Sequence, residues 1–132
     1  MEQDLFQLGK FKSHSGLELS WKIECDALGE DEWDCIAQMI LEHERTPFRT
    51  VVGIPRGGEM FARKLQRYAT GESRHPILLV DDVLTTGTSF REFIKEHHNN
   101  KSDEVLCWVV FARESCPPSI KALFQMPKIR KI

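Results

Sequence analysis

Residues 81–89 read Asp-Asp-Val-Leu-Thr-Thr-Gly-Thr-Ser, two adjacent acids followed by a turn of hydroxyl side chains around one glycine. Each half suggests chemistry. Gly87 can take backbone angles closed to other residues, so successive N–H groups can turn toward one point. The run "SFREFIKEHH" (89–98) reads as a helix capped by Thr88 or Ser89. Its start adds free N–H groups and the positive end of the helix dipole. With the hydroxyls of Thr85, Thr86, Thr88 and Ser89, this makes a nest for a dianionic phosphate without a lysine. The plainer reading is that these residues only cap a helix. Asp81 and Asp82 would repel a phosphate unless they held something else, and sugar hydroxyls or a magnesium ion would satisfy them. On an extended chain their side chains point to opposite sides, so at most one faces a given ligand squarely. A ribose 5-phosphate meets both needs, with its phosphate on the nest and its hydroxyls on the acids.

A second loop has related chemistry. In "VVGIPRGG" (51–58) an apolar run meets a helical pattern at Pro55, Arg56, Gly57 and Gly58. The glycines let backbone N–H groups approach a ligand closely, and Arg56 offers a fork-shaped donor to phosphate. An ordinary strand–helix turn with a surface arginine is the alternative.

The elements that must position these loops alternate. Strands are expected at 49–54 ("RTVVGI"), 77–81 ("ILLVD") and 104–112 ("EVLCWVVFA"), with helices at 59–69 and 89–98 between them. Short continuous apolar strands separated by helices argue for an α/β fold, a parallel sheet with right-handed crossovers and helices on both faces. In such a sheet ligands bind beyond the carboxyl ends of the strands, where both loops lie. Upstream, turn formers at Ser13–Gly16 precede a strand through Leu17–Glu24. In "EDEWDCIAQMILEHE" (30–44), Trp33, Ile36, Ala37, Ile40 and Leu41 fall at helical spacing behind an acidic first turn, and Pro47 follows. The tail "RESCPPSIKALFQMPKIRKI" (113–132) carries three prolines and reads as a surface wrap.

"ILLVDDVLTTGTS", thirteen contiguous residues, resembles the phosphoribosyl-diphosphate (PRPP) motif of type I phosphoribosyltransferases. The Rossmann-like core of that family, with a small amino-terminal hood, is what the resemblance implies for the fold. The Pro55–Gly58 loop is similar to the pyrophosphate loop of some purine-type members, where a non-proline cis peptide is common; Pro55–Arg56 is the candidate bond here. "GKFKSHSGLELSWKIECDA" (9–27) resembles the hood of orotate phosphoribosyltransferases, with Phe11, Ser15 and Gly16 matching. Where those enzymes often carry a base-binding lysine, this chain has His14. The resemblance assigns further base contacts to main-chain groups at Lys22 and Ile23 and to Arg113. His14 and Arg113 as plain surface residues are the competing readings.

The resemblance implies a magnesium-dependent transfer of the 5-phosphoribosyl group from PRPP to a nitrogenous base, pyrimidine-like by the hood, with release of diphosphate. Asp81 and Asp82 would steady the cationic sugar and approach Mg2+, largely through PRPP and water. A homodimer is expected on the same ground. One departure stands against turnover. Active members carry a further strand and a long mobile loop before the PRPP strand, whereas only "TGESRHP" (70–76) precedes it here. Arg63, Lys64, Arg67 and Arg74 do not obviously replace that loop. A non-catalytic PRPP- or nucleotide-binding regulatory module is therefore the alternative.

Length and composition bound the rest. The 132 residues suit one domain (1–132), divided into a hood strand and helix (1–45), a PRPP-binding core (46–115) and a tail (116–132). A formal charge of −2 gives no general attraction to nucleic acid or anionic membrane. No stretch approaches the length of an apolar membrane span, and the start has no apolar signal core, so a cytoplasmic protein is expected. Cys25, Cys35, Cys107 and Cys116 lack zinc-site spacing and read as free thiols. A P-loop is excluded because no G-x-x-x-x-G-K-[ST] occurs.

Overall fold

The computed structural model describes residues 3–12, 18–84, 87–97 and 104–127. The apolar runs form a four-stranded parallel sheet in chain order: β3 (Thr50–Gly53), β4 (Ile77–Leu84), β5 (Val105–Ala112) and β6 (Ile120–Gln125). Ahead of it, β1 (Phe6–Lys12) and β2 (Glu18–Ile23) make a separate antiparallel hairpin, and α1 (Glu30–His43) links the hairpin to the sheet. The crossovers are α2 (Gly58–Gln66), between β3 and β4, and α3 (Thr88–His97), between β4 and β5.

Alternation along the strands divides two apolar layers. Leu78, Val80, Trp108 and Val110 face the core formed by α1 and α2, where Trp33, Ile36, Ala37, Ile40, Phe61 and Leu65 are buried. Leu79, Cys107 and Val109 face the other way, onto Phe90, Phe93 and Ile94 of α3. Central β4 is buried on both faces, which explains why its sequence is continuously apolar rather than alternating. The expected α/β arrangement, with helices on both faces, is therefore what forms.

Two expectations need correction. The tail does not wrap the surface: Ile120–Gln125 adds a fourth parallel strand to β5, with Phe124 opposite Phe111. The hood is a hairpin rather than one strand, because Phe6–Lys12 pairs with β2 around an irregularity between Leu8 and Phe11. Its position is set by aromatic packing, the Phe6 ring standing edge-on to Phe111, which stacks on Phe124 at 5.4 Å.

Residues 67–76 connect α2 directly to β4 in a pinned turn. Thr70 and Gly71 donate backbone N–H groups to Phe48 O and Arg49 O at 2.9 and 3.0 Å, and Arg49 N donates to Pro76 O at 2.7 Å. No strand rises from it toward the loops, as the short "TGESRHP" led one to expect. The outer edge of β3 is met instead by a side chain, since Val51 N donates to Gln66 Oε1 at 2.9 Å.

One buried acid ties the helical layer to the sheet. Glu44, just after α1, accepts from Trp108 Nε1 at 3.0 Å and Lys121 Nζ at 3.3 Å. Burial alone would push its carboxyl up, but these donors outweigh burial and hold it below the ordinary range. Its contribution is therefore present above the ordinary carboxylate range and is lost as the pH falls through the depressed value. Glu44→Ala should cost about 2 kcal/mol in urea unfolding at pH 7, because a buried indole N–H loses its acceptor. The gap from wild type should shrink as the pH falls below the ordinary carboxylate range.

Candidate functional site

At the carboxyl ends of β3 and β4 lies a cleft of about 590 Å³, closed on its far side by β2 of the hairpin. Its lining joins most of the residues singled out in the sequence: Lys22, Ile23, Pro55, Arg56, Gly57, Asp81, Asp82, Gly87, Thr88, Ser89 and Arg113. These come from four separate stretches of chain, so the convergence is a product of the fold. His14, Thr85 and Thr86 lie outside the described residues. Gly58 does not line the cleft. It is buried, its N–H is committed to Ile54 O at 2.9 Å, and a Cβ there would come within 2.5 Å of Val80 O. Gly58 thus serves close packing of α2 on β4.

The two acids extend β4 beyond its apolar part. Asp81 Oδ1 accepts from Asp82 N at 2.8 Å, and Asp82 Oδ1 accepts from Val83 N at 2.7 Å. Both residues nevertheless line the cleft, although neighbours on an extended chain point to opposite sides. Asp81 is buried, and desolvation first and the Asp82 charge second push its carboxyl up to about 8. Near neutral pH Asp81 therefore holds a proton. A cation or a set of sugar hydroxyls would replace it.

The facing loop is shaped to these acids. The Pro55–Arg56 bond is cis, the conformation for which the resemblance singled it out. A Cβ on Gly57 would overlap the Asp82 carboxylate where it stands, so the loop lies directly on the acid and a larger residue would have to displace it. Arg56 is exposed at the lip. On the other side Gly87 has φ 82°, the left-handed region, and its carbonyl starts α3 by accepting from Arg91 N at 3.2 Å. Pro117 and Ile120 pack 3.6 and 3.8 Å from where a Gly87 Cβ would stand, so the tail strand supports this loop from beneath.

The hood wall is held by Arg113. Its backbone N–H donates to Leu84 O at 2.9 Å, and its guanidinium donates to the Trp21 carbonyl and lies 3.5 Å over the Trp21 ring. Burial lowers the Arg113 pKa from the usual guanidinium value, with Glu114 opposing. Lys22 is engaged at the lip, its ammonium 2.9 Å from Glu24 and 4.8 Å from the Phe11 ring centroid.

Sequence reasoning missed Leu19, Glu92, Phe93 and Glu96 as lining residues, and Trp21 behind them. The helical spacing of Ser89, Glu92, Phe93 and Glu96 could have placed α3 along the cleft. Nothing in the sequence marked Trp21. Among the described residues no three His, Cys, Asp or Glu converge on a metal, and no helix is long and apolar enough to cross a membrane. The four cysteines are unpaired; Cys25 and Cys107 are buried and Cys35 is exposed.

No family model matches the chain, and no curated protein matches it. Solved structures do. Orotate phosphoribosyltransferase from Aeropyrum pernix is similar at 26% identity over 83% of this chain and 76% of that one, with a TM-score of 0.64. UMP synthase of Leishmania donovani shares the fold at 16% identity and TM-score 0.73, over 92% of this chain and 34% of that one. A purine phosphoribosyltransferase from Pyrococcus horikoshii does so at 18% identity and TM-score 0.55, over 80% of this chain and 97% of that one. The fold is that of the phosphoribosyltransferases, and the likeness at 26% identity is to an orotate phosphoribosyltransferase. That company supports phosphoribosyl transfer as the general reaction.

The raised Asp81 carboxyl makes stability depend on pH. Stability is fully present below the ordinary aspartate range and is lost as the pH rises through about 8, where Asp81 must ionise while buried. Asp81→Asn keeps an acceptor for Asp82 N and removes the charge. Its Tm should match wild type near pH 4 and exceed it by about 3 °C or more at pH 9 in metal-free buffer. Equal Tm values across that range would refute the assignment.

Proposed function

We propose that the cleft binds PRPP with Mg2+ and transfers its 5-phosphoribosyl group to a nitrogenous base, a pyrimidine-like one first, releasing diphosphate. The observation supporting this most strongly is the meeting of the Asp81–Asp82 pair, the Pro55–Gly57 loop and the Gly87–Ser89 helix start in one cleft. In this reading the 5-phosphate rests on the α3 start, with Thr85 and Thr86 contributing further donors. The acids hold the ribose hydroxyls, and Arg56 with the loop amides receives the diphosphate. The base lies against β2, with His14 and Arg113 near its edge. The bond from the anomeric carbon to the diphosphate oxygen breaks with its electron pair leaving on oxygen. A base nitrogen donates a pair to that carbon and releases its proton to solvent. The acid pair offsets the positive charge that builds on the sugar in between. Two hard carboxylate oxygens suit Mg2+ held mainly by the substrate and water, and when bound the ion would neutralise the leaving diphosphate.

Incubation with PRPP, Mg2+ and a panel of pyrimidine and purine bases should give diphosphate and one nucleotide in equal amounts. Asp82→Asn should lower kcat by roughly a hundredfold or more. Absence of both products with every base would reject the transfer reading.

The pinned turn at 67–76 favours a second reading, a module that binds PRPP or a nucleotide without turnover. Without a segment rising from that turn, water has freer access to the anomeric carbon. Calorimetry with PRPP and Mg2+ that gives heat but no product would select it. No heat would reject both readings.

A further inference from the structure

We infer that Trp21 is a positioning residue for the base subsite: its ring and its carbonyl together hold Arg113 in a preset orientation at the cleft wall. The inference rests on the proposed function and adds a determinant of base recognition that neither motif contains.

The phase of the hairpin ladder makes this possible. Glu24 N donates to Leu5 O at 2.6 Å, and the register pairs Gln7 with Lys22 and Leu8 with Trp21. In an antiparallel ladder, residues whose N–H and C=O face the partner strand alternate with residues whose groups face away. The backbone of Lys22 is therefore turned to Gln7, and the backbones of Trp21 and Ile23 point outward. Of the two main-chain positions assigned to the base, only Ile23 has its own amide groups directed away from β1. The outward Trp21 carbonyl is the one that accepts from the Arg113 guanidinium.

Arg113 is otherwise an unusual group to find here. It is buried at 8% exposure, lines the cleft, and meets no carboxylate within ion-pair distance among the described residues. One N–H is used by the Trp21 carbonyl, and the guanidinium carbon stands over the indole ring, 3.5 Å from its centroid. A guanidinium carries five N–H donors, so the others remain for a ligand edge. A long arginine side chain loses much rotamer freedom on ordering. Clamped beforehand on Trp21, it does not lose that freedom again when a base arrives. A planar base edge with carbonyl acceptors matches the remaining Arg113 donors beside the outward Ile23 amide. Trp21 itself stands behind the arginine, and the cleft lining does not include it.

Calorimetric affinities for ribose 5-phosphate and for UMP, AMP and GMP separate the two levels of inference. The best nucleotide should bind wild-type protein more tightly than ribose 5-phosphate, and that ratio measures the base subsite. Trp21→Ala and Trp21→Leu should each cut the ratio roughly tenfold, with ribose 5-phosphate affinity unchanged as the control for an intact fold. Trp21→Phe retains an aromatic face and should stay within about threefold of wild type. An unchanged ratio in Trp21→Leu, or a wild-type protein that prefers no nucleotide over ribose 5-phosphate, overturns the positioning role alone. Failure of wild type to bind any of the four ligands overturns the proposed function and this role with it.

Discussion

Setting a buried carboxyl, Asp81, directly beside a second, half-buried one, Asp82, at the end of a parallel strand is the constraint that the cleft is organised around. Asp81 and Asp82 would be separated by pleat and water in an ordinary exposed strand. Here burial and the neighbouring Asp82 charge push Asp81 up to about 8. The pair is tolerated because the carboxylates accept the backbone N–H groups of residues 82 and 83. Gly57 lies directly against Asp82, where an added side chain would displace the carboxylate.

The scaffold transmits that arrangement from both faces of the sheet. α1 and α2 form one apolar layer and bring the cis Pro55–Arg56 loop to Asp82. α3 forms the other and turns its start toward the same space, with Gly87 resting on Pro117 and Ile120. β6 thus matters to the site although none of its residues lines the cleft. The hairpin completes the wall through Phe6 on Phe111 and through Trp21 on Arg113.

Much of this was legible in the sequence because the signals were local. A buried parallel strand has a continuous apolar run, and "ILLVDD" is one. The α1 core residues fall at helical spacing. Both loops could be placed at strand ends by counting elements. What escaped was non-local. "IKALFQ" contains mostly helix-forming residues between prolines, and it is a strand because β5 offers it an open edge. "FQLGKFK" has Gly9 at its centre and Leu8 at 91% exposure, so its alternation reports no buried face. Gly58 looked like a ligand glycine because close approach to a phosphate and close approach to a strand demand the same missing Cβ. Trp21 became visible only once a residue 92 positions away was folded against it.

The most direct measurement is a crystal structure with a bound nucleoside 5′-monophosphate. The 5′-phosphate should sit on the N–H groups at the start of α3, around Gly87–Ser89. The ribose hydroxyls should lie within hydrogen-bond distance of Asp81 and Asp82, and the base against β2 beside Arg113. A phosphate bound elsewhere, or a ribose out of reach of both acids, would contradict the assignment of this cleft.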